Sequence, residues 1–312
     1  MDTSALTLAI EPFDMSSCII HRRGEIIYHY EKTKNASHGL MPVNSCTKSV
    51  LSSLVCIAMD KGLLPETDTL ISKYFPSLQY DPDERKRSIT LHHLLTLTAG
   101  FAWTEFGGVN SFPKMTRSSD WVSFVLEQPM SHEPGDKMVY NSGVSQLLAA
   151  VLRQAIDMPI ARFAELELFE PLAIEQYSWK IDPQGIHTGG YGLELTAVDM
   201  LKFGRLYLQK GIWNGERLIS EPMIERSTEP IIAADPPERG FYSWHWWADA
   251  VAMPSTAPVN LSFFYARGFG GQFIIIVPSV QTVVVLTRVQ RKKGPSPLDF
   301  FRDHIAPRLV NL

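Results

Sequence analysis

The stretch PVNSCTKSV, residues 42–50, places a serine three positions before a lysine, at the start of an apolar helical pattern. Ser45 is an ordinary residue for a helix start, where a hydroxyl caps free backbone N–H groups. Lys48 is not, because the first turn carries the positive end of the helix dipole. Downstream, Val50, Leu51, Leu54, Val55, Ile57 and Ala58 recur at helical spacing, and Gly62 supplies a stop. On that helix Ser45 and Lys48 lie one turn apart on the same face. A serine hydroxyl is a weak nucleophile that needs a base beside it. An amine serves as that base only where burial, positive charge or a dipole disfavours its proton. The lysine therefore reads either as a solvated side chain behind a capping serine or as a base held against a nucleophile. S-x-x-K occurs by chance in many chains, so the rest of the sequence has to decide.

Two further stretches bear on the choice. GDKMVYNSGVSQLLAAVL (135–152) sets Tyr140 and Ser142 in a loop just before a long amphipathic helix. Their hydroxyls, two residues apart, can enter one cleft, and a phenol beside a lysine can relay a proton. The plainer alternative makes Ser142 the cap of that helix and Tyr140 a packed aromatic. ARGFGGQFIIIVP (266–278) holds Gly268, Gly270 and Gly271 around Phe269. Glycines weaken a strand, so they mark either a hairpin turn or a backbone that approaches a ligand closely. An edge of that kind can aim an amide N–H at a developing oxyanion, with the Ser45 N–H as its partner.

The wider pattern frames these stretches. SSCIIHR and GEIIYHY read as a hairpin near residues 16–30. From 66 to about 184 the pattern is helical with loops. It includes ITLHHLLTLTAGF (89–101), ending near Gly100, then SSDWVSFVLEQP (118–129), and SGVSQLLAAVLRQAIDMP (142–159), limited by Pro159. A helix is also expected at 196–208. FYSWHWWA, LSFFYARG, GQFIIIVP and QTVVVLTRV then read as consecutive antiparallel strands, and PLDFFRDHIAPRL as a helix broken by Pro307. β-rich ends around a helical middle predict an α+β fold, in which strands from both ends share one antiparallel sheet flanked by helices. The expected organisation is a single unit over 1–312, with an α/β lobe of about 1–65 plus 185–312 and an inserted helical lobe of about 66–184.

Composition narrows the function classes. With 45% hydrophobic and 20% charged residues and a net charge of -4, the chain has ordinary globular composition. Its basic runs stop at HRR (21–23), RKR (85–87) and RKK (291–293), which argues against a nucleic-acid partner. The odd set Cys18, Cys46 and Cys56 argues against a disulfide framework or a zinc site, and Cys46 is expected to face away from the nucleophile as a small buried residue. No signal peptide or membrane-spanning run is read, so a cytoplasmic protein is expected. Adjacent His92 and His93 do not face one another on a helix and have no third ligand. His187 borders a loop. Trp244 and Trp246 alternate onto one face and are expected in the core, although an aromatic wall near the cleft is a second reading. The absence of G-x-S-x-G argues against an α/β-hydrolase.

Taken together in this order and spacing, the three stretches resemble the serine β-lactamase and penicillin-binding superfamily. The closest likeness is to its class C β-lactamase-related branch, which includes esterases, D-aminopeptidases and 6-aminohexanoate-dimer hydrolases. YFPSL (74–78), ITLHHLLTLTAGF and GGYGLELTAVDMLKFGRLYLQKGIW also carry the resemblance, which covers nearly the whole chain. It implies that Ser45 is the acylated nucleophile, Lys48 its general base and Tyr140 a proton relay. It further implies an oxyanion hole from the N–H groups of Ser45 and Phe269, with Ser142, Gly268, Gly270 and Gly271 beside the substrate. No metal or organic cofactor is implied. Ser142 stands where the branch's β-lactamases have asparagine, and no Lys-Thr-Gly occurs in the third motif, where Arg267 is the nearby cation. Both departures point away from β-lactams and toward a neutral or amine-bearing ester or amide. The expectation is a serine hydrolase acting on a small ester, amide or lactam. Its alternatives are a weak β-lactamase or D-peptidase, and a penicillin-sensing module without turnover.

Overall fold

The β-rich runs from the two ends of the chain meet in one antiparallel sheet. The computed structural model describes residues 3–253, 259–289 and 294–310, so the RKK cluster lies outside the described residues. The strands of the sheet are β1 (Met15–Arg22), β2 (Glu25–Glu31), β3 (Ile232–Ala233), β4 (Phe241–Tyr242), β5 (Trp247–Met253), β6 (Val259–Gly268), β7 (Gln272–Val277) and β8 (Thr282–Arg288). Their order is β2-β1-β8-β7-β6-β5-β4-β3, so the amino-terminal hairpin joins the carboxy-terminal strands through β1 and β8. Ile19 pairs with Val285 and Cys18 with Leu286 at that seam.

β7 and β8 are buried at every position, which requires cover on both faces. Helices supply it. On one face lies the helix Ala197–Leu208, capped by the Thr196 side chain, which accepts from Asp199 N. It sits so close that a Cβ on Gly204 would come within 2.7 Å of Val283 Cγ1 and 2.8 Å of Ile274 Cγ2. Phe264 points to this face and meets Tyr207 and Trp246. Its neighbour Phe263 points to the other and packs on Phe301 of the carboxy-terminal helix, 4.9 Å between ring centres. That reversal between adjacent residues is the period of a strand.

The helical middle of the chain is inserted between β2 and β3. The helix Cys46–Asp60, called α1, lies between this insertion and the sheet, and every residue from Cys46 to Met59 is buried. A helix buried all round needs internal partners for its polar residues. Ser53 bonds to Ser49 O and Tyr207 Oη, and Ser49 donates to His245 O. Among the described residues no helix is long and apolar enough to cross a membrane.

Four local expectations are corrected. FYSWHWWA is two strands rather than one, because His245 takes a left-handed φ of 57° and turns the chain between Tyr242 and Trp247. Trp244 and Trp246 are core residues, while Trp247 begins β5 and faces the cleft described below. The helix expected over 89–101 covers only Leu91–Leu95, ending before the left-handed Leu97. The helix Ser142–Ile156, called α2, stops at Asp157, whose left-handed backbone acts before Pro159 does. Finally, Pro307 does not break the last helix. A π turn at Phe301–Ile305 runs without a break into Ala306–Val310, so Pro307 lies inside a continuous helical segment.

Candidate active site

The amino end of α1 is built around an unusual residue. Asn44 adopts a left-handed φ of 50°, a conformation that asparagine tolerates better than most side chains. Its backbone turn is closed by Thr47, whose N–H and hydroxyl both donate to Asn44 O, at 3.0 and 2.6 Å. Ser45 follows at the cap position, yet its hydroxyl makes no capping bond. It therefore remains available on the surface of a pocket of about 190 Å³ lined by Ser45, Glu105, Phe106, Tyr140, Glu238, Trp247, Arg267 and Phe269.

Lys48 runs inward from the same turn and is 1% exposed. Its Nζ donates to Ser142 Oγ and to Gly190 O, both at 2.9 Å, and lies 4.7 Å from the centre of the Tyr140 ring. Among the described residues it has no carboxylate ion pair. Gly190 must be a glycine for this seat to exist: a Cβ there would fall 2.9 Å from Ser142 Cβ and 3.2 Å from Lys48 Nζ. Burial, with a smaller contribution from nearby Lys48, pushes the His245 imidazole down to about 3.

Ser142 is not the cap of α2. Asn141 is, accepting from Val144 N at 3.0 Å, which leaves the Ser142 side chain free to turn toward Lys48. Tyr140 lines the pocket with its ring stacked on Trp247, 5.9 Å between centres, and Trp247 stacks in turn on Tyr265. Tyr140 presents Lys48 with its ring face and makes no hydrogen bond to it through the phenol.

The glycine-rich turn after β6 closes the other side. Gly268 passes so near the turn that leads into Ser45 that a Cβ would sit 2.2 Å from Val43 O. Asn44 Nδ2 donates to Phe269 O at 2.6 Å, binding the two turns together. The Phe269 ring packs on Phe106 across the pocket. Gly270 and Gly271 are placed elsewhere. Gly270 takes a left-handed φ of 87° and its carbonyl accepts from Arg288 Nε, and a Cβ on Gly271 would meet Arg288 and Pro297, so both lie behind the turn, away from the lining of the Ser45 pocket.

Residues 14–304 match the beta-lactamase family over most of the chain. The chain belongs to the beta-lactamase family. Members of this serine β-lactamase family are generally hydrolases. Among curated relatives, Protein Rv1367c of Mycobacterium tuberculosis is 20% identical over 256 residues, which is 67% of this chain and 63% of that protein. The chain thus covers somewhat less than two thirds of that relative. A structure assigned as a 6-aminohexanoate-dimer hydrolase from Bacillus anthracis superposes with a TM-score of 0.80 at 18% identity, over 98% of this chain and 82% of the other. A class C beta lactamase from Rhodobacter sphaeroides superposes with a TM-score of 0.68 at 17% identity, over 99% and 97%. At these identities the likeness shows the α+β β-lactamase/transpeptidase fold.

Three groups in or behind the pocket of this beta-lactamase family member go beyond the sequence reading. Glu105 accepts from Ser142 N and from Trp103 Nε1, at 3.0 and 2.8 Å, and also from the Ser142 hydroxyl. Glu238 pairs with Arg267, whose guanidinium also lies over the face of Trp247. Gly190 supplies the carbonyl that holds Lys48. Only Gly190 had a visible signal, as half of the Gly189-Gly190 pair. A Cβ on Gly189 would fall 2.0 Å from Ser145 O, so both glycines answer close backbone approaches.

Proposed function

We propose that this protein is a serine hydrolase that cleaves an ester or amide bond of a small substrate through an acyl-enzyme on Ser45. One observation carries the reading. An uncapped serine hydroxyl and a tyrosine line the same small pocket, and a buried lysine from the serine's own helical turn lies against the ring of that tyrosine. A buried lysine ordinarily needs an anion, and this one has a hydroxyl, a carbonyl and an aromatic face instead. Such surroundings suit an amine that takes and returns a proton.

Ser45 Oγ attacks the substrate carbonyl carbon while Lys48 Nζ takes the hydroxyl proton. The carbonyl oxygen becomes an oxyanion, for which the N–H groups of Ser45 and Phe269 are the proposed donors. The tie between Asn44 and Phe269 O supports that pairing, because it fixes the two backbone turns against one another. Collapse expels the leaving alcohol or amine, which receives the proton from Lys48 by way of Tyr140. Water then attacks the ester on Ser45 by the same route in reverse. Hydrogen bonds between such groups commonly tighten only when substrate is bound.

The charge of the pocket favours neutral or amine-bearing substrates. Its cation, Arg267, is already matched by Glu238, and Glu105 adds a second carboxylate. Among the described residues that line the pocket, a β-lactam or D-peptide carboxylate finds no cation without a carboxylate partner. Phe106, Tyr140, Trp247 and Phe269 offer apolar surface to an acyl group. The test compares the parent with Ser45→Ala on short p-nitrophenyl esters and maps fluorophosphonate labelling to a residue. Loss of at least about a thousandfold in kcat/KM, with labelling confined to Ser45, is expected. A variant as fast as the parent sinks the reading.

A further inference from the structure

The Ser142 hydroxyl stands between two groups of opposite chemistry. Lys48 Nζ donates to its oxygen at 2.9 Å, and its own proton goes to Glu105 Oε1. A hydroxyl has one proton. With that proton committed to Glu105, Ser142 faces Lys48 only as an acceptor. Gly190 O, the other partner of Nζ, is an acceptor too. The base form of lysine carries two N–H bonds and one lone pair. Two acceptors occupy both N–H bonds and leave the lone pair free for the remaining direction.

We propose that Glu105 is a positioning residue that fixes the polarity of the Ser142 hydroxyl, so that the lone pair of Lys48 stays available to the Ser45 proton. Glu105 suits this task because it is itself held. Trp103 Nε1 and Ser142 N both donate to Oε2, which leaves Oε1 to take the hydroxyl proton. The inference rests on the hydrolase reading above, since it assigns Glu105 a part in that reaction.

Glu105→Gln tests it while keeping the shape of the side chain. The two N–H donors at the Oε2 position select the glutamine oxygen there. The glutamine NH2 is then turned toward Ser142 Oγ, which must accept from it. The Ser142 proton swings toward Lys48 and occupies the lone pair. Glu105→Gln therefore lowers kcat/KM on a p-nitrophenyl ester by about ten- to a hundredfold, the range of one charge-assisted hydrogen bond. Ser142→Ala removes the hydroxyl, so adding Glu105→Gln to it changes kcat/KM less than about twofold. This non-additivity separates a role acting through Ser142 from simple support of the loop through Trp103, which would cost the same in both backgrounds. If Glu105→Gln does not fold, Glu105→Asp, which withdraws the carboxylate by one methylene, takes its place with the same expectations. Parent-like activity in the single variant, or an equal loss in both backgrounds, overturns the proposal. If Ser45→Ala also keeps the parent's rate, the hydrolase reading itself has failed. If Ser45→Ala is dead and Glu105→Gln is unimpaired, only the role of Glu105 has.

Discussion

Gly190→Ala is the sharpest perturbation of the lysine seat. Gly190 does not occupy left-handed backbone, so the substitution adds volume without conformational strain. The new methyl would lie 2.9 Å from Ser142 Cβ, 3.0 Å from Ser142 Oγ and 3.2 Å from Lys48 Nζ. Ser142 Cβ cannot swing away, because it is rooted in the first turn of α2, so either the 188–192 segment or Lys48 must shift. Overpacking of this size costs about 1–3 kcal/mol of stability. For a chain of 312 residues that corresponds to a fall in Tm of roughly 2–5 °C. The effect on the reaction should be larger. Displacing Lys48 from Gly190 O removes a hydrogen bond to a group that carries charge during the cycle, worth about 1.5–3 kcal/mol, and kcat/KM should fall about ten- to a hundredfold. The assay pairs a thermal melt with the rate of fluorophosphonate labelling. Gly39→Ala is the control, since a Cβ there meets nothing within 4 Å and should leave both readouts unchanged. If Gly190→Ala labels within twofold of the parent and melts with it, the close seat around Lys48 is wrong, and with it the argument that a glycine was needed.

Two further outcomes follow from the same geometry. Glu238→Gln frees the Arg267 guanidinium of its carboxylate partner, so the ratio of activity on carboxylate-bearing over neutral esters should rise several-fold, and an unchanged ratio refutes the charge argument. His245 stays neutral when folded, with a pKa of about 3 against about 6.5 unfolded, chiefly because burial opposes its proton. Its contribution to stability is therefore complete above pH 6.5 and falls by about 1.4 kcal/mol per unit as pH drops from there toward 3. His245→Asn, which tolerates the left-handed backbone, should remove that slope. Urea midpoints of parent and variant at pH 7 and pH 5 check it, and parallel shifts in the two proteins refute it.

How much of this was legible in the sequence depended on distance along the chain. Ser45 and Lys48 are one helical turn apart, and Tyr140 and Ser142 adjoin one helix start, so local spacing brings each pair together. Their meeting across 94 residues was legible only through the family resemblance. The strands announced themselves by composition, since β7 holds the run FIIIV and β8 the run VVVL. What failed was periodicity interrupted by a single backbone angle. The tryptophans at 244–247 look like one alternating strand until His245 turns left-handed, and that turn places Trp247, itself buried, against the pocket.

Glu105 shows the deeper limit. It sits in WTEFGG, a stretch with no period, no motif and no second carboxylate, and nothing local distinguishes it from a solvated loop residue. Its significance comes from a partner 37 residues away that presents a backbone N–H and a hydroxyl together. That presentation exists because Asn141, rather than Ser142, caps α2. Had Ser142 been the cap, its oxygen would have been spent on the helix, and neither Lys48 nor Glu105 would have had a hydroxyl to share. One residue's shift in a helix cap thus decides whether a buried lysine is linked to a pocket carboxylate. A shift of that size is below the precision with which helix ends are read from a sequence.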